Sequence, residues 1–230
     1  LLCVLPFIRT NHNLKKVGNN IFLEELIGRY PDLLPLKEEI SKAAESLIEC
    51  YRKGNKVLVC GNGGSCSDSD HIVGELMKGF ENMRPVQENM KNRLSEIAGE
   101  RGAYLAGKLQ QALPTISLTA HSALITAVAN DTDASLVFAQ QVVGYGIEGD
   151  VIIGISSSGN SQNIIDALIT AKAKKMQVIG LTGETGGKMK DYCDVLINVK
   201  EKRTAFVQEL HLPVYHTLCM MVEDHFFGKH

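Results

Sequence analysis

Apolar residues recur along this chain in two alternating rhythms. Lys56–Cys60, Val151–Ile155, Gln177–Leu181 and Val195–Val199 are short apolar runs without alternation, with Thr115–Leu118 a weaker fifth. Such runs predict strands buried on both faces. Between them, apolar positions return every three or four residues, predicting helices from about Cys66 to Phe80 and over Ser122–Ala129, Ala134–Val143, Ser161–Lys174 and Thr204–Phe227. Strands interleaved with helices predict an α/β fold with a doubly wound parallel sheet. Ahead of the sheet, Phe22, Leu23, Leu26 and Ile27 form a short amphipathic helix stopped by Pro31. Leu36, Ile40, Ala43, Ala44, Leu47, Ile48 and Tyr51 form a second, closed by Gly54. These make an N-terminal helical extension over residues 20–54. The rhythm fails over Glu81–Gln111, a polar, charged, helix-permissive stretch that predicts an inserted helix or helical hairpin. Residues 20–230 therefore read as a single domain. Residues 1–19 read as a loosely ordered arm, because Leu1–Ile8 lacks a basic flank and contains Pro6, unlike a signal peptide.

Composition acts mainly by exclusion. A chain of 230 residues that is 44% hydrophobic can bury a substantial core, enough for one domain with accessory parts. Its 24 basic and 26 acidic residues leave a net charge of −2, which argues against nucleic acid, a polybasic membrane patch or an acidic tail. No apolar run reaches the roughly 18 residues of a membrane span. Six cysteines form no CxxC pair, so they read as reduced thiols of a cytoplasmic protein.

The candidate chemistry lies at strand ends. Gly61–Ser65 (GNGGS) joins a buried strand to a helix start, where glycines admit close backbone approach and the helix N-terminus favours an anion. By itself it could equally be a tight turn. Ser156–Ser161 (SSSGNS) occupies the same place after another strand, and its hydroxyls and amides suit a phosphate monoester without lysine. It is no Walker A loop, and no nucleotide cofactor is expected. A further glycine-rich turn, Gly183–Lys188, reads as structural or rim. His71 and Glu75 stand at i and i+4 on one helix face, among apolar neighbours that set the carboxylate apart as a candidate general base. The bland alternative is a surface His–Glu pair. In the last helix Gln208 and His216 share a broad face, His211 reads as a core histidine, and Pro213 is expected to kink or restart the helix.

Taken in order, GNGGS, His71-x-x-x-Glu75, Asn130–Asp131, GISSSGNS, Gln208 and His216 resemble the phosphoheptose isomerase branch of the sugar-isomerase (SIS) domain family. The resemblance runs from roughly Phe22 to Phe227 and implies a flavodoxin-like five-stranded parallel sheet. It implies a homotetramer with active sites between subunits and a phosphorylated sugar as substrate. The reaction implied interconverts sedoheptulose 7-phosphate and D-glycero-D-manno-heptose 7-phosphate. By matching position, Ser156, Ser157, Ser158 and Ser161 would hold the phosphate. Asn62, Gly63, Gly64, Ser65, Asn130 and Asp131 would line the sugar site. Glu75 and His216 would be the acid–base pair, with Gln208 on the substrate. Some family members bind zinc at the positions matching His71, Glu75, Gln208 and His216, so one zinc per active site is the cofactor implied.

The residues suit that chemistry independently. Aldose–ketose isomerisation moves a proton between C1 and C2 through an enediolate, which needs one carboxylate and a second group for the oxygen protons. The chain departs from the family pattern in the Glu81–Gln111 stretch, in Glu75–Phe80 (ELMKGF), where an arginine is missing and Lys78 is its neighbour, and at His121, where aspartate is common. The altered sugar end keeps open an isomerase of a five- or six-carbon phosphosugar. The insert keeps open a non-catalytic regulator that binds a phosphosugar or a partner protein.

Overall fold

A computed structural model describes residues 20–228; the expected arm at 1–19 lies outside them. Five parallel strands form one sheet: β1 (Val57–Gly61), β2 (Thr115–Ser117), β3 (Val151–Ser156), β4 (Gln177–Thr182) and β5 (Val195–Asn198). Their spatial order is β2-β1-β3-β4-β5, the flavodoxin-like doubly wound arrangement. Each strand follows its apolar run to within two residues at either end. Alternate residues feed two cores. Val57, Val59, Ile153 and Ile179 face one, together with α1 (Ile21–Arg29), α2 (Lys37–Arg52), α3 (Gly64–Met77) and α8 (Thr204–Phe227). Leu58, Cys60, Ile152 and Val178 face the other, under α5 (Ser122–Asp131), α6 (Ala139–Tyr145) and α7 (Gln162–Ala173). With apolar side chains covered on both faces, the strands carry no polar alternation.

The remaining helix, α4 (Glu88–Lys108), lies in the polar stretch after α3. It breaks at Ala98 and Gly99 into two arms, with Gly99 at φ 52° and ψ −126°, a conformation open to glycine alone. Most of its surface is exposed. The helices depart from the sequence pattern in places. Helix α3 stops at Met77 rather than Phe80, because Lys78 turns extended (φ −144°, ψ 176°) and sends the chain toward α8. The expected Ala134–Val143 helix is instead a single 3₁₀ turn at Ala134–Leu136, capped by the Asp133 carboxylate, followed by α6. Helix α8 runs through Pro213 without restarting. The carbonyl that Pro213 leaves without an amide partner belongs to Glu209, which is exposed to water. Among the described residues no helix is long and apolar enough to cross a membrane, and Cys50, Cys60, Cys66, Cys193 and Cys219 are free thiols.

Candidate active site

The strand order reverses between β1 and β3, where doubly wound sheets open a crevice at the carboxyl ends of their strands. Both candidate loops border it. The amides of Asn62, after β1, and Asn163, in the first turn of α7, exchange two hydrogen bonds of 2.9 Å and join the loops. In the serine loop, Ser156 Oγ and Ser161 Oγ lie 3.1 Å apart, and Ser158 Oγ accepts from the Asn160 amide at 3.1 Å. Ser161 holds the N-cap position of α7 yet makes no side-chain capping bond, so its hydroxyl is available to a ligand at the positive end of that helix. The turn after β4 supports the loop from below. Gly183 N donates to Ser157 O at 3.0 Å, Met189 N to Gly159 O at 3.0 Å, and Lys188 N to Asn160 Oδ1 at 3.1 Å.

A second group of candidates lies along the contact of α3 with α8. His71 Nε2 is 3.2 Å from Glu75 Oε1, one turn further along α3. The Glu75 side chain is only 14% exposed and has Lys78 Nζ 3.4 Å from its other oxygen. His216 packs edge-on to the His71 ring, with centroids 4.9 Å apart, and against Phe80 at 5.4 Å. Its Nε2 is buried and meets no hydrogen-bond partner. Burial, and then the neighbouring His71, hold the His216 pKa below its ordinary value, with Glu75 opposing. The imidazole is therefore neutral near pH 7.

Tyr215 and Asp68, which sequence reasoning did not single out, complete this face. Tyr215 Oη lies 3.0 Å from His71 Nδ1 and donates to Asp68 Oδ1 at 3.2 Å. Burial raises the Asp68 pKa, against the pull of the Tyr215 bond. The i, i+3 relation of Asp68 and His71 on α3, and the adjacency of Tyr215 to His216, were the available sequence signals. His211, in contrast, is buried in the core, with Nε2 3.2 Å from Thr182 O.

One contact ties the two groups together. Gln208, at the start of α8, lies against Gly64, so that a β-carbon there would sit 2.5 Å from its Nε2. From that end α3 and α8 descend side by side. Glu75 is eleven residues beyond Gly64, about 16 Å along a helix rising 1.5 Å per residue. A single chain thus brings Glu75, His71 and His216 together, sets Gln208 against Gly64 at the head of α3, and joins Asn62 to the start of α7 after the serine loop. Asn130 and Asp131 lie at the far end of α5, exposed and bonded to each other at 2.8 Å.

His71, Glu75, Gln208 and His216 carry donors that zinc accepts, although glutamine is an uncommon ligand. The unpartnered Nε2 of His216 beside the His71–Glu75 contact fits such a role. Among the described residues, no three His, Cys, Asp or Glu side chains are grouped so as to hold a metal ion as they stand.

The profile of the SIS domain family matches residues 33–100 and 93–183. The chain is 38% identical over 211 residues to the phosphoheptose isomerase of Aneurinibacillus thermoaerophilus, spanning 92% of each protein. The chain belongs to the SIS domain family, in its phosphoheptose isomerase branch. Phosphoheptose isomerase 2 of Campylobacter jejuni is 36% identical over 212 residues, 88% of this chain and 92% of that relative. Among solved structures, the phosphoheptose isomerase of Francisella tularensis superposes with a TM-score of 0.71 at 32% identity, and that of Neisseria gonorrhoeae with 0.68 at 33%. Each covers 88% of this chain and 95% of the other. The five-stranded parallel sheet between helices is thus the SIS fold of those relatives.

Proposed function

We propose that this chain interconverts sedoheptulose 7-phosphate and D-glycero-D-manno-heptose 7-phosphate. The observation that carries the reading is the pairing of a half-buried carboxylate, Glu75, with a neutral imidazole, His216, in a chain of the phosphoheptose isomerase branch. Glu75 takes the proton from the carbon next to the carbonyl and returns it to the neighbouring carbon. His216 moves the hydroxyl proton between the two oxygens of the enediolate, which a neutral imidazole can do in either direction. The hydroxyls of Ser156, Ser157, Ser158 and Ser161 and the α7 amides hold the phosphate, and Asn62, Gly63, Gly64, Ser65 and Gln208 line the sugar path.

The family resemblance supports a homo-oligomer. The resemblance implies a tetramer with active sites between subunits, to which Asn130 and Asp131 would contribute. His71, Glu75, Gln208 and His216 would hold one zinc ion per site, supplying Lewis-acid polarisation of the substrate oxygens. The free thiols support a cytoplasmic setting.

The test is conversion of sedoheptulose 7-phosphate by the intact chain and by Glu75→Gln. Turnover that Glu75→Gln abolishes without loss of fold is expected, and full activity in that variant overturns the mechanism. A panel of five- and six-carbon ketose phosphates assigns the substrate. Metal analysis of the purified chain and of His71→Ala, read as bound zinc per subunit, checks the metal independently of activity.

A further inference from the structure

Arg84 and Glu223 form the most enclosed ion pair among the described residues, 0% and 1% exposed, with Nη2 2.7 Å from Oε1. The pair gathers three parts of the fold. Arg84 Nη1 donates to the Leu76 carbonyl at 2.8 Å and Nη2 to the Glu75 carbonyl at 3.2 Å, closing the last turn of α3. Glu223, on α8, accepts the backbone amides of Phe80, Glu81 and Asn82 at 2.7, 2.8 and 3.0 Å. The Phe227 ring covers the guanidinium at 4.7 Å. The strap from Gly79 to Arg84 is thereby pinned, and it carries Phe80 against the His216 ring.

A buried ion pair is weak evidence for stability, because desolvation offsets much of its attraction. Its placement here has a different consequence. One of the two carbonyls it holds on α3 belongs to Glu75, and one of the three amides it holds on the strap belongs to Phe80, the neighbour of His216. We propose that Arg84 and Glu223 are positioning residues for the isomerisation, keeping the Glu75 end of α3 and the Phe80 strap in register with His216 on α8. This rests on the function proposed above. Both side chains are enclosed, and they act through the backbone of Glu75 and of Phe80, the ring against His216.

The experiment compares Arg84→Lys and the apolar pair Arg84→Met/Glu223→Leu with the parent chain, using sedoheptulose 7-phosphate. Lysine keeps the charge but cannot serve a carboxylate and two carbonyls with one fork. The apolar pair removes the bonds without leaving an unpaired buried charge. In folded variants kcat is expected to fall about 10- to 100-fold, the scale of a small misplacement of reacting groups. KM should stay near the parent value, because the phosphate loop is untouched. Phe80→Leu, which leaves the ion pair intact, should lower kcat by less. A parent-like kcat in either folded ion-pair variant, or a KM rise that accounts for the whole loss, overturns the proposal. Failure of both to fold assigns the pair to stability alone and overturns it too. No turnover by the parent on any phosphosugar in the panel would instead overturn the function reading, and the proposal with it.

Discussion

The Nε2 atom of Gln208 lies 2.5 Å from the point that a β-carbon on Gly64 would occupy. The first residue of α3 thus has no side chain so that an amide from α8 can lie over the phosphate-loop side of the crevice. Gly64→Ala meets the far end of a flexible side chain rather than backbone, so the fold should tolerate it. Gln208 should swing away. We expect a melting temperature within a few degrees of the parent, for a change well under about 1 kcal/mol, and a raised KM for the phosphosugar. Unchanged KM with a displaced Gln208 would remove Gln208 from the substrate site.

Ser161 separates phosphate binding from folding. Its hydroxyl makes no capping bond to α7 and meets only Ser156 Oγ, at 3.1 Å. Ser161→Ala therefore forfeits no helix cap. A lost hydrogen bond to a charged phosphate is worth about 1.5–3 kcal/mol, or roughly 10- to 100-fold in affinity. Inorganic phosphate as a competitive inhibitor reads this directly, and its inhibition constant should rise by that factor while stability holds. A stability loss without a change in phosphate inhibition would make Ser161 structural.

Gly159 shows why the turn Gly183–Lys188 belongs to the site's support. At φ +65° a β-carbon on residue 159 would lie 2.2 Å from the Gly186 carbonyl oxygen, backbone against backbone. Gly54, at φ +76°, has nothing within 4 Å. Both alanine variants meet the left-handed strain of about 1–2 kcal/mol; only Gly159→Ala adds the clash. Denaturant titration should place Gly159→Ala clearly below Gly54→Ala, with a raised KM only in the former. Equal losses in the two would mean that the turns do not interlock.

The frame of the fold was legible because strands covered on both faces, such as Val151–Ser156, have no polar side to interrupt their apolar run, and glycine turns bracket them. His71 and Glu75 were legible because i, i+4 spacing fixes a helix face. Arg84 was not. It sits in a polar segment whose composition suggests a solvated surface, and its partner Glu223 is 139 residues away. Only the turn of the chain at Lys78 brings the two together.

His211 gives the chain a defined acid sensitivity outside the reacting groups. Its ring is buried, Nδ1 has no partner, and burial pushes its pKa from 6.5 down to about 4 despite the Thr182 carbonyl. Between those values the unfolded chain binds a proton that the folded chain refuses, so stability rises with pH through this window. Above pH 6.5 the full stability is present; it declines as pH falls toward 4 and is flat with respect to this group below that. The slope approaches about 1.4 kcal/mol per pH unit, hence about 2 kcal/mol between pH 6.5 and 5. His216 contributes in the same direction, so the parent chain alone does not isolate His211. His211→Gln keeps a donor for the Thr182 carbonyl and removes the titration, while His216 stays common to both proteins. Denaturant unfolding at pH 7, 6, 5.5 and 5 should show the parent losing about 2 kcal/mol relative to the variant as pH falls across that range. Curves that stay parallel over that range would mean His211 protonates without leaving its site.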